Sequence, residues 1–394
     1  MDEWRKYRLG DLFERVTRKN INLESENVLT ISAQYGLINQ EEFFNKSVAG
    51  KNLNNYYLLK KREFAYNKSY SAGYPMGATK MLEKYDEGIV STLYICFRSK
   101  SDLVNNEYFK YYFESKQYYD ELSKIAEEGA RNHGLLNISV EDFFNIQVIL
   151  PPIKEQEKIV NLLKKIDYII KKYEKLLKEK DKFIKSQFVK MFGDVINNTK
   201  NFDYKPIGEI SEIVTGTTPS TSNIENWNGN ICWITPAELD NNSIYIFDTE
   251  RKITEKGQKS KSLKLMPKGT VLFTSRAPIG KVAIINKEMC CNQGFKNCIC
   301  KKELNNLYLY YTLKNNAYYF NRLGAGSTFR ELSKSTFEKV KISVPPMELQ
   351  NKFAEFVKQV DKQKFLLEQQ KKNYEKLKKA LMQKLLTGKV RVKI

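Results

Sequence analysis

The feature that most constrains the fold is a duplicated motif in which a strand-like run ends in two prolines. The first copy reads Ser139-x3-Phe143-x2-Ile146-x-Val148-x-Leu150-Pro151-Pro152-x3-Gln156-x-Lys158, and the second reads Ser333-x3-Phe337-x2-Val340-x-Ile342-x-Val344-Pro345-Pro346-x3-Gln350-x-Lys352. Pro151 and Pro345 are 194 residues apart, close to half of the 394-residue chain. A repeat of this length is a whole domain with its following helix, because solenoid repeats are far shorter.

A long helix is predicted after each Pro-Pro pair, since proline is tolerated in the first turn and apolar residues then recur in steps of four and three. The first seam is Ile159, Leu163, Ile166, Ile170, Tyr173, Leu177, Lys180, Ile184, Gln187 and Met191. The second is Phe353, Val357, Val360, Lys364, Leu367, Lys371, Tyr374, Lys378, Leu381 and Leu385. Helices of roughly 60 Å cannot bury such a stripe alone. Chain connectivity favours antiparallel pairing with each other. The polar half of the second seam leaves open two helices docked separately on their own domains.

The sequence therefore predicts an α+β protein with an internal pseudo-two-fold repeat. Two globular mixed α/β domains are separated by two long helices that form an antiparallel coiled coil. The expected boundaries are 1–150 for the first domain, 151–193 for the central helix, 194–344 for the second domain and 345–394 for the last helix and tail. Leu9-Gly10-Asp11 and Ile207-Gly208-Glu209 mark the two domain starts. Aromatic residues between Asn106 and Ala126 at helical spacing predict one further helix with a core face.

Composition points to a polyanionic partner. The formal net charge is +20 and the isoelectric point is about 9.4, which suits nucleic acid. A lysine-rich background would give the same charge. The six cysteines lack zinc spacing, and Cys298-Ile299-Cys300 is typical of a strand. The first residues lack signal-peptide character and no window holds 18 uncharged apolar residues, so a soluble cytoplasmic protein without a membrane partner is expected.

Catalytic motifs are sparse. We find no phosphate-binding Gly-x4-Gly-Lys-Ser/Thr loop and no Gly-x-Gly-x2-Gly, and His133 is the single histidine. Asp240, Glu250 and Lys252 fit the loose spacing of many Mg²⁺ nucleases, but such matches arise by chance in a chain with 28% charged residues. These absences favour a chain without an ATPase site and without a metal or catalytic site built on histidine. A stand-alone nuclease using these three residues is the alternative.

Turn-rich loops with basic, aromatic and hydroxyl residues occupy comparable places in both halves. Such side chains can anchor phosphates or read base edges, although any one loop could be an ordinary surface turn. The candidate DNA-binding residues are Lys68, Tyr70, Tyr74, Lys80, Arg131, Asn132, His133, Thr217, Thr218, Ser220, Arg276, Lys281, Ser327, Thr328 and Arg330.

These motifs, with Gly216-x-Thr218-Pro219-Ser220, Ser275-Arg276-Ala277-Pro278-Ile279-Gly280 and Phe192-Gly193-Asp194, resemble those of DNA-specificity subunits of type I restriction-modification systems. The resemblance covers the whole chain. It implies that each domain reads one half of a bipartite, asymmetric site in double-stranded DNA. The helices would set the spacing and dock two methyltransferase subunits, which use S-adenosylmethionine to methylate adenine. Restriction subunits would supply ATP- and Mg²⁺-dependent cleavage. This chain itself would be non-catalytic, with no catalytic or metal-binding residue, and would bind no cofactor. A protein-binding scaffold remains a further alternative.

Overall fold

The computed structural model describes residues 3–32, 35–44, 52–69, 73–127, 136–240, 243–276, 278–325 and 330–392. The chain forms two compact units. The first unit comprises Met1–Glu174 and Gln369–Ile394, and the second comprises Lys175–Glu368. Each unit thus contains a mixed domain and a part of both long helices. The finer division into four segments stays a prediction.

The first unit is built on antiparallel sheets. Its elements are β1 (Arg5–Arg8), α1 (Leu9–Leu12), β2 (Phe13–Arg15), β3 (Leu29–Ser32), β4 (Gly36–Asn39), α2 (Gln40–Phe44), β5 (Tyr57–Lys60), β6 (Phe64–Asn67), β7 (Ala78–Met81), β8 (Glu87–Val90), β9 (Ile95–Ser99), α3 (Asn106–Glu114), α4 (Tyr119–Glu127), α5 (Val140–Asn145), β10 (Gln147–Leu150) and the start of α6 (Ile153–Phe192). A four-stranded sheet has the order β2-β9-β6-β7, and β1 pairs with β10, β3 with β4 and β5 with β8.

The second unit keeps this plan with additions. Its elements are the end of α6, β11 (Asp203–Pro206), α7 (Ile207–Ile210), β12 (Ser211–Val214), β13 (Trp227–Ile234), β14 (Tyr245–Ile246), β15 (Lys252–Ile253), α8 (Glu255–Ser260), β16 (Val271–Phe273), β17 (Val282–Ile285), β18 (Met289–Cys291), β19 (Asn297–Cys300), α9 (Asn306–Asn315), α10 (Ala317–Leu323), α11 (Lys334–Lys339), β20 (Lys341–Val344) and α12 (Met347–Leu385), which ends in the first unit. The main sheet has the order β12-β19-β16-β17-β14, a second sheet β15-β13-β18, and β11 pairs with β20.

The duplicated motif builds the same core joint in both units. Ser139 and Ser333 cap α5 and α11, since each hydroxyl accepts a hydrogen bond from a backbone N–H three residues later. The phenylalanine of each motif is fully buried. Phe143 stacks on Tyr66 of β6 with ring centroids 4.7 Å apart, and its counterpart Phe337 stacks in the same way on β16 at 5.1 Å. The repeat therefore specifies matched aromatic packing beneath each main sheet.

The buried glutamine of each motif explains why the Pro-Pro-x3-Gln spacing recurs. The Gln156 side chain accepts a hydrogen bond from Asn105 N at 3.0 Å and donates to Leu103 O and Pro151 O at 2.8 Å. Gln350 makes the matching bonds to Asn305 N, Glu303 O and Pro345 O at 2.8, 3.0 and 2.6 Å. Each glutamine thereby holds the loop that precedes α3 or α9 against the start of a long helix.

In the first unit, the start of α6 runs antiparallel to the end of α12. Lys378 Nζ lies 2.9 Å from Asp167 Oδ1, and Lys371 Nζ lies 3.0 Å from Glu174 Oε1. The residue number rises along one helix as it falls along the other, which defines the antiparallel direction. Burial acts to lower the pKa of Lys378, but the carboxylates of Glu114 and Asp167 outweigh it and hold that pKa above its usual value.

In the second unit, the end of α6 and the start of α12 are also antiparallel. Lys364 Nζ lies 2.6 Å from Asp181 Oδ1, and the Phe188 and Phe353 rings are 5.4 Å apart. The lysines in the seam of α12 each form an ion pair with an acidic residue of α6. The lysines are spaced by seven residues, and so are the acids, which explains why polar residues recur at these seam positions. The antiparallel pairing predicted from the seams is confirmed, and separate docking of the two helices is wrong.

Candidate nucleic-acid interface

Three chain segments of the second unit converge on one open groove. Backbone bonds join them: Ser275 N donates to Gly294 O at 2.8 Å, and Leu332 N donates to Ser275 O at 2.9 Å. The groove has a volume of about 520 Å³ and we call it the Lys296 groove. Its lining residues are Thr215, Gly216, Arg276, Gln293, Lys296, Glu331, Ser333 and Lys334.

One wall of the groove depends on a glycine. A Cβ atom at Gly216 would lie 1.8 Å from Cys291 O, so a side chain at this position would collide with backbone. Because Gly216 has no side chain, the loop that follows it can pack closely against the strand that ends at Cys291. The Trp233 indole fixes that loop by donating to Thr217 O at 3.1 Å, and Thr218 Oγ1 donates to Gln293 Oε1 at 2.9 Å. Because its carbonyl oxygen is engaged, the Gln293 amide is oriented with its NH₂ group away from Thr218.

The groove carries two cations that share one carboxylate. Arg276 Nε donates to Glu331 Oε2 at 3.0 Å, while Lys296 Nζ lies 3.4 Å from Glu331 Oε1. Lys296 Nζ also donates to Ser275 Oγ at 3.0 Å. Lys296 is only 5% exposed, whereas the Arg276 side chain is 47% exposed. Burial lowers the pKa of the Lys296 ammonium below its usual value, and Glu331 opposes this shift.

The first unit has the corresponding joint without the same charges. Leu136 N donates to Lys68 O at 3.1 Å, as Leu332 does to Ser275. The Lys68 ammonium donates to Ile138 O at 3.1 Å, so it is turned toward its own backbone. Elsewhere in the first unit, two ammonium groups lie over the Tyr74 ring. Lys116 Nζ lies 4.4 Å and Lys80 Nζ 5.5 Å from the ring centroid.

The structure brings together some of the predicted residues and not others. Thr217, Thr218 and Arg276 lie at or beside the Lys296 groove, and Arg330 is exposed next to Glu331. Ser220 lies further along the same loop, where its carbonyl accepts from the Trp227 indole. Lys281 points inward instead, since its ammonium donates to Leu239 O at 2.7 Å. The predicted residues outside the described part of the chain are Tyr70, Arg131, Asn132, His133, Ser327 and Thr328.

Among the polar residues that sequence reasoning missed are Gln293, Lys296 and Glu331 in the second unit and Lys116 in the first. They were missed because their neighbours in space are far away in sequence. Lys296 stands 21 residues from Ser275 and 35 from Glu331. One feature of the sequence could have indicated Lys296. It directly precedes the apolar strand that contains Cys298, at an inward-facing position where an apolar residue is expected.

The apolar seam residues pack between the two long helices and in the cores of the two units. In the first unit, Ile159, Leu163 and Ile166 are buried and Ile170 is half-buried; Leu177, in the second unit, is also half-buried. In the second unit, Ile184, Phe353 and Val360 are buried. Other apolar side chains of the helices point outward and are 36–60% exposed: Leu162, Tyr168, Leu176, Phe183, Val189, Phe365, Leu366 and Leu377.

The nuclease alternative gains no metal site from the described residues. Lys252 Nζ pairs with Asp248 at 3.3 Å, and Asp240 Oδ1 accepts a bond from Ser243 N. Across the described ranges, no group of three or more His, Cys, Asp or Glu side chains could hold a metal ion. Cys298 and Cys300 lie in β19 as predicted. Among the same residues, every helix is too short or too polar to cross a membrane.

The fold defines a class of proteins with a duplicated mixed domain and an antiparallel pair of long helices, and its second unit carries a groove lined by Arg276, Lys296 and Lys334. The sequence model of the family described as type I restriction modification DNA specificity domain matches residues 1–179 and again residues 199–375. The chain therefore belongs to this family.

Two relatives agree with this assignment, and a solved structure shares the fold. The chain is 44% identical over 193 residues to the type I restriction enzyme MjaIX specificity subunit of Methanocaldococcus jannaschii, covering 48% of this chain and 44% of that protein. It is 28% identical over 265 residues to the putative MjaX specificity subunit of the same organism, covering 63% and 60%. The matched stretches thus span about half the length of these relatives. A chain from a structural study of type I R-M system assembly shares the fold, with a TM-score of 0.61 at 17% identity over 98% of both chains.

Proposed function

We propose that this chain is a DNA-reading specificity subunit in which each mixed domain recognises one half of a bipartite double-stranded site. The observation that carries the proposal is the family match in both halves of the chain. The net positive charge of the whole sequence supports the proposal. So do the backbone hydrogen bonds Leu136 N–Lys68 O and Leu332 N–Ser275 O, which place a polar loop beside the Ser-capped helix in each unit. The chain supplies sequence recognition and leaves the chemistry to partner subunits.

The partners follow from the class of complex that the relatives' names describe. We expect two methyltransferase subunits that bind S-adenosylmethionine and methylate adenine, and restriction subunits that bind ATP and Mg²⁺. The outward apolar residues of α6 and α12 are suited to docking the methyltransferase subunits, because exposed apolar side chains in rows are typical of protein interfaces. Phe365→Asp should weaken this assembly, measured by co-purification. The same change at an outward polar position of α12, Gln369→Asp, is the matched control.

The direct test is to map adenine methylation in a genome that carries this chain with its methyltransferase subunit. We expect one motif made of two short half-sites separated by a fixed gap. Arg330→Ala should relax the sequence of a single half-site, since Arg330 belongs to the second unit. A variant that changes both halves would show that the domains do not read independently. Methylation at a single uninterrupted motif would exclude the bipartite reading.

The competing functions give different results with purified protein. A stand-alone nuclease would cut DNA when given Mg²⁺ alone, whereas a specificity subunit would not. A protein-binding scaffold would show weak DNA binding with little salt dependence. For the proposed function, log K should fall steeply with log salt concentration, by about 0.9 for each phosphate contact.

A further inference from the structure

The Lys296 groove contains a buried charge that the fold itself does not require. Lys296 donates its backbone N–H to Phe273 O, and Phe273 stacks on Phe337. In the first unit the matching strand position is Ile95, which pairs with Tyr66. Ile95 is 2% exposed. The same buried strand position is therefore occupied by isoleucine in the first domain and by lysine in the second.

Burying an ammonium is unfavourable unless something compensates for its lost hydration. Lys296 Nζ contacts Ser275 Oγ at 3.0 Å and Glu331 Oε1 at 3.4 Å. Glu331 is shared with Arg276, so one carboxylate serves two cations. Lys334 adds a further positive charge at the rim, although it lies 3.6 Å from Glu338. The groove therefore keeps a net positive charge and is suited to an anion.

The position of this ammonium decides which part of a duplex could reach it. Base edges are recessed within the grooves of B-form DNA, so the side chains that read them must project from the protein surface. Phosphate oxygens lie on the outside of the duplex and can enter a shallow protein groove. Lys296 does not project, because its residue is 95% buried and its ammonium is fixed by Ser275 and Glu331. Lysine also binds phosphate as a point charge, without the planar fork that arginine uses for guanine.

We propose that the Lys296 groove receives a phosphodiester group of the bound DNA, with Lys296 as its buried contact. The assignment rests on the proposed DNA-reading function and deepens it, because it makes this groove a positioning site that carries no sequence information of its own. It is also specific to the second domain, since the first has Ile95 at the equivalent place.

The test uses the full-length chain assembled with its methyltransferase subunit and two duplexes, one with the mapped recognition site and one of unrelated sequence. Affinity is measured between 50 and 200 mM salt for the wild type and for Lys296→Met. The variant should bind both duplexes more weakly by a similar factor. Its salt slope should be smaller by about 0.9, so the wild type loses about 3.5-fold more affinity across this range. Lys296→Arg should restore the slope.

Two further variants separate this contact from general effects. Lys287→Met removes one charge from the same unit at its ion pair with Asp248, and should leave the slope unchanged. Lys296→Ile copies the first domain and keeps the proposal testable if methionine packs poorly; its melting temperature confirms folding. A single methylphosphonate at the contacted phosphate should weaken the wild type but not Lys296→Met. An unchanged slope in the folded variants, or a lower ratio of specific to unspecific affinity, would overturn the assignment. A wild type without salt dependence would instead count against DNA binding as a whole.

Discussion

Removing one heptad from both long helices should shorten the gap between the two half-sites while leaving their sequences unchanged. The paired deletion takes residues 168–174 from α6 and 371–377 from α12. It removes the Lys371–Glu174 pair and keeps the pairs Lys378–Asp167 and Lys364–Asp181. After the deletion, Asp167 and Asp181 stand seven residues apart, as do Lys364 and Lys378. Both remaining ion pairs can therefore form together.

The expected size of the change follows from helix geometry. Seven residues correspond to about 10.5 Å at about 1.5 Å per residue. The rise of B-form DNA is about 3.4 Å per base pair, so three base pairs is roughly the upper limit, reached when the helices run along the DNA axis. A tilt of the helices reduces the change to one or two base pairs. The lost contacts include one partly exposed ion pair across the helices, about 0.5 kcal/mol, the Tyr173–Tyr374 ring pair, about 1 kcal/mol, and those of the half-buried Ile170. Folding should therefore survive.

Genome-wide mapping of methylated adenine reads out the gap directly. The control deletes residues 168–174 alone, which leaves seven residues between the α6 acids and fourteen between the α12 lysines. Both ion pairs cannot then form at once, and we expect a large loss of melting temperature or aggregation. If the paired deletion folds, methylates DNA and keeps the original gap, the helices do not set the spacing and the reasoning is refuted.

Two further predictions concern stability. Gln350→Leu should lower the free energy of unfolding by about 3 kcal/mol in denaturant titration, because Asn305 N and two carbonyls lose buried partners; the exposed Gln369→Leu should change it little. Arg391→Ala should lower the free energy of unfolding at neutral pH, since it leaves the buried Glu155 carboxylate without its ion pair. Burial alone would raise the pKa of Glu155, but bonds from Arg391 and Trp4 hold it below its ordinary value. The pair's contribution is thus complete above about pH 4.5 and is lost as pH falls through the lowered pKa, so wild type and Arg391→Ala should converge in acid. A constant difference between them at every pH, or an unaltered stability of Gln350→Leu, would contradict these assignments.

The helix pair could be predicted from sequence because its period is strict, but its polar half could not be interpreted. Lys364, Lys371 and Lys378 look like defects in an apolar seam. Their acidic partners lie one residue after seam positions of α6, and a search for apolar periodicity passes over them. Pairing each lysine with an acid requires the register of two segments about 200 residues apart, which only the folded chain provides.

Local backbone conformation explains where the helix prediction in the first domain failed. The stretch from Asn106 to Ala126 was expected to be one helix, yet α3 ends at Glu114 and α4 begins at Tyr119. Lys116 adopts a positive φ of 63°, which ends helical geometry. Lysine rarely adopts a positive φ, so the residue type at this position did not predict the end of the helix. The expected core face is nevertheless correct, since Tyr108, Phe109 and Phe113 are all buried.

The two halves differ in an informative way. Residues that hold the frame are repeated: the capping serine, the stacked phenylalanine and the buried glutamine make the same contacts in each unit. Residues that face the candidate interface are not repeated, as Ile95 and Lys296 occupy one strand position with opposite chemistry. Because we propose that the Lys296 groove holds a phosphate, this difference predicts that the two domains contact the DNA backbone differently. The frame residues are free to stay the same in both domains while the backbone contacts change.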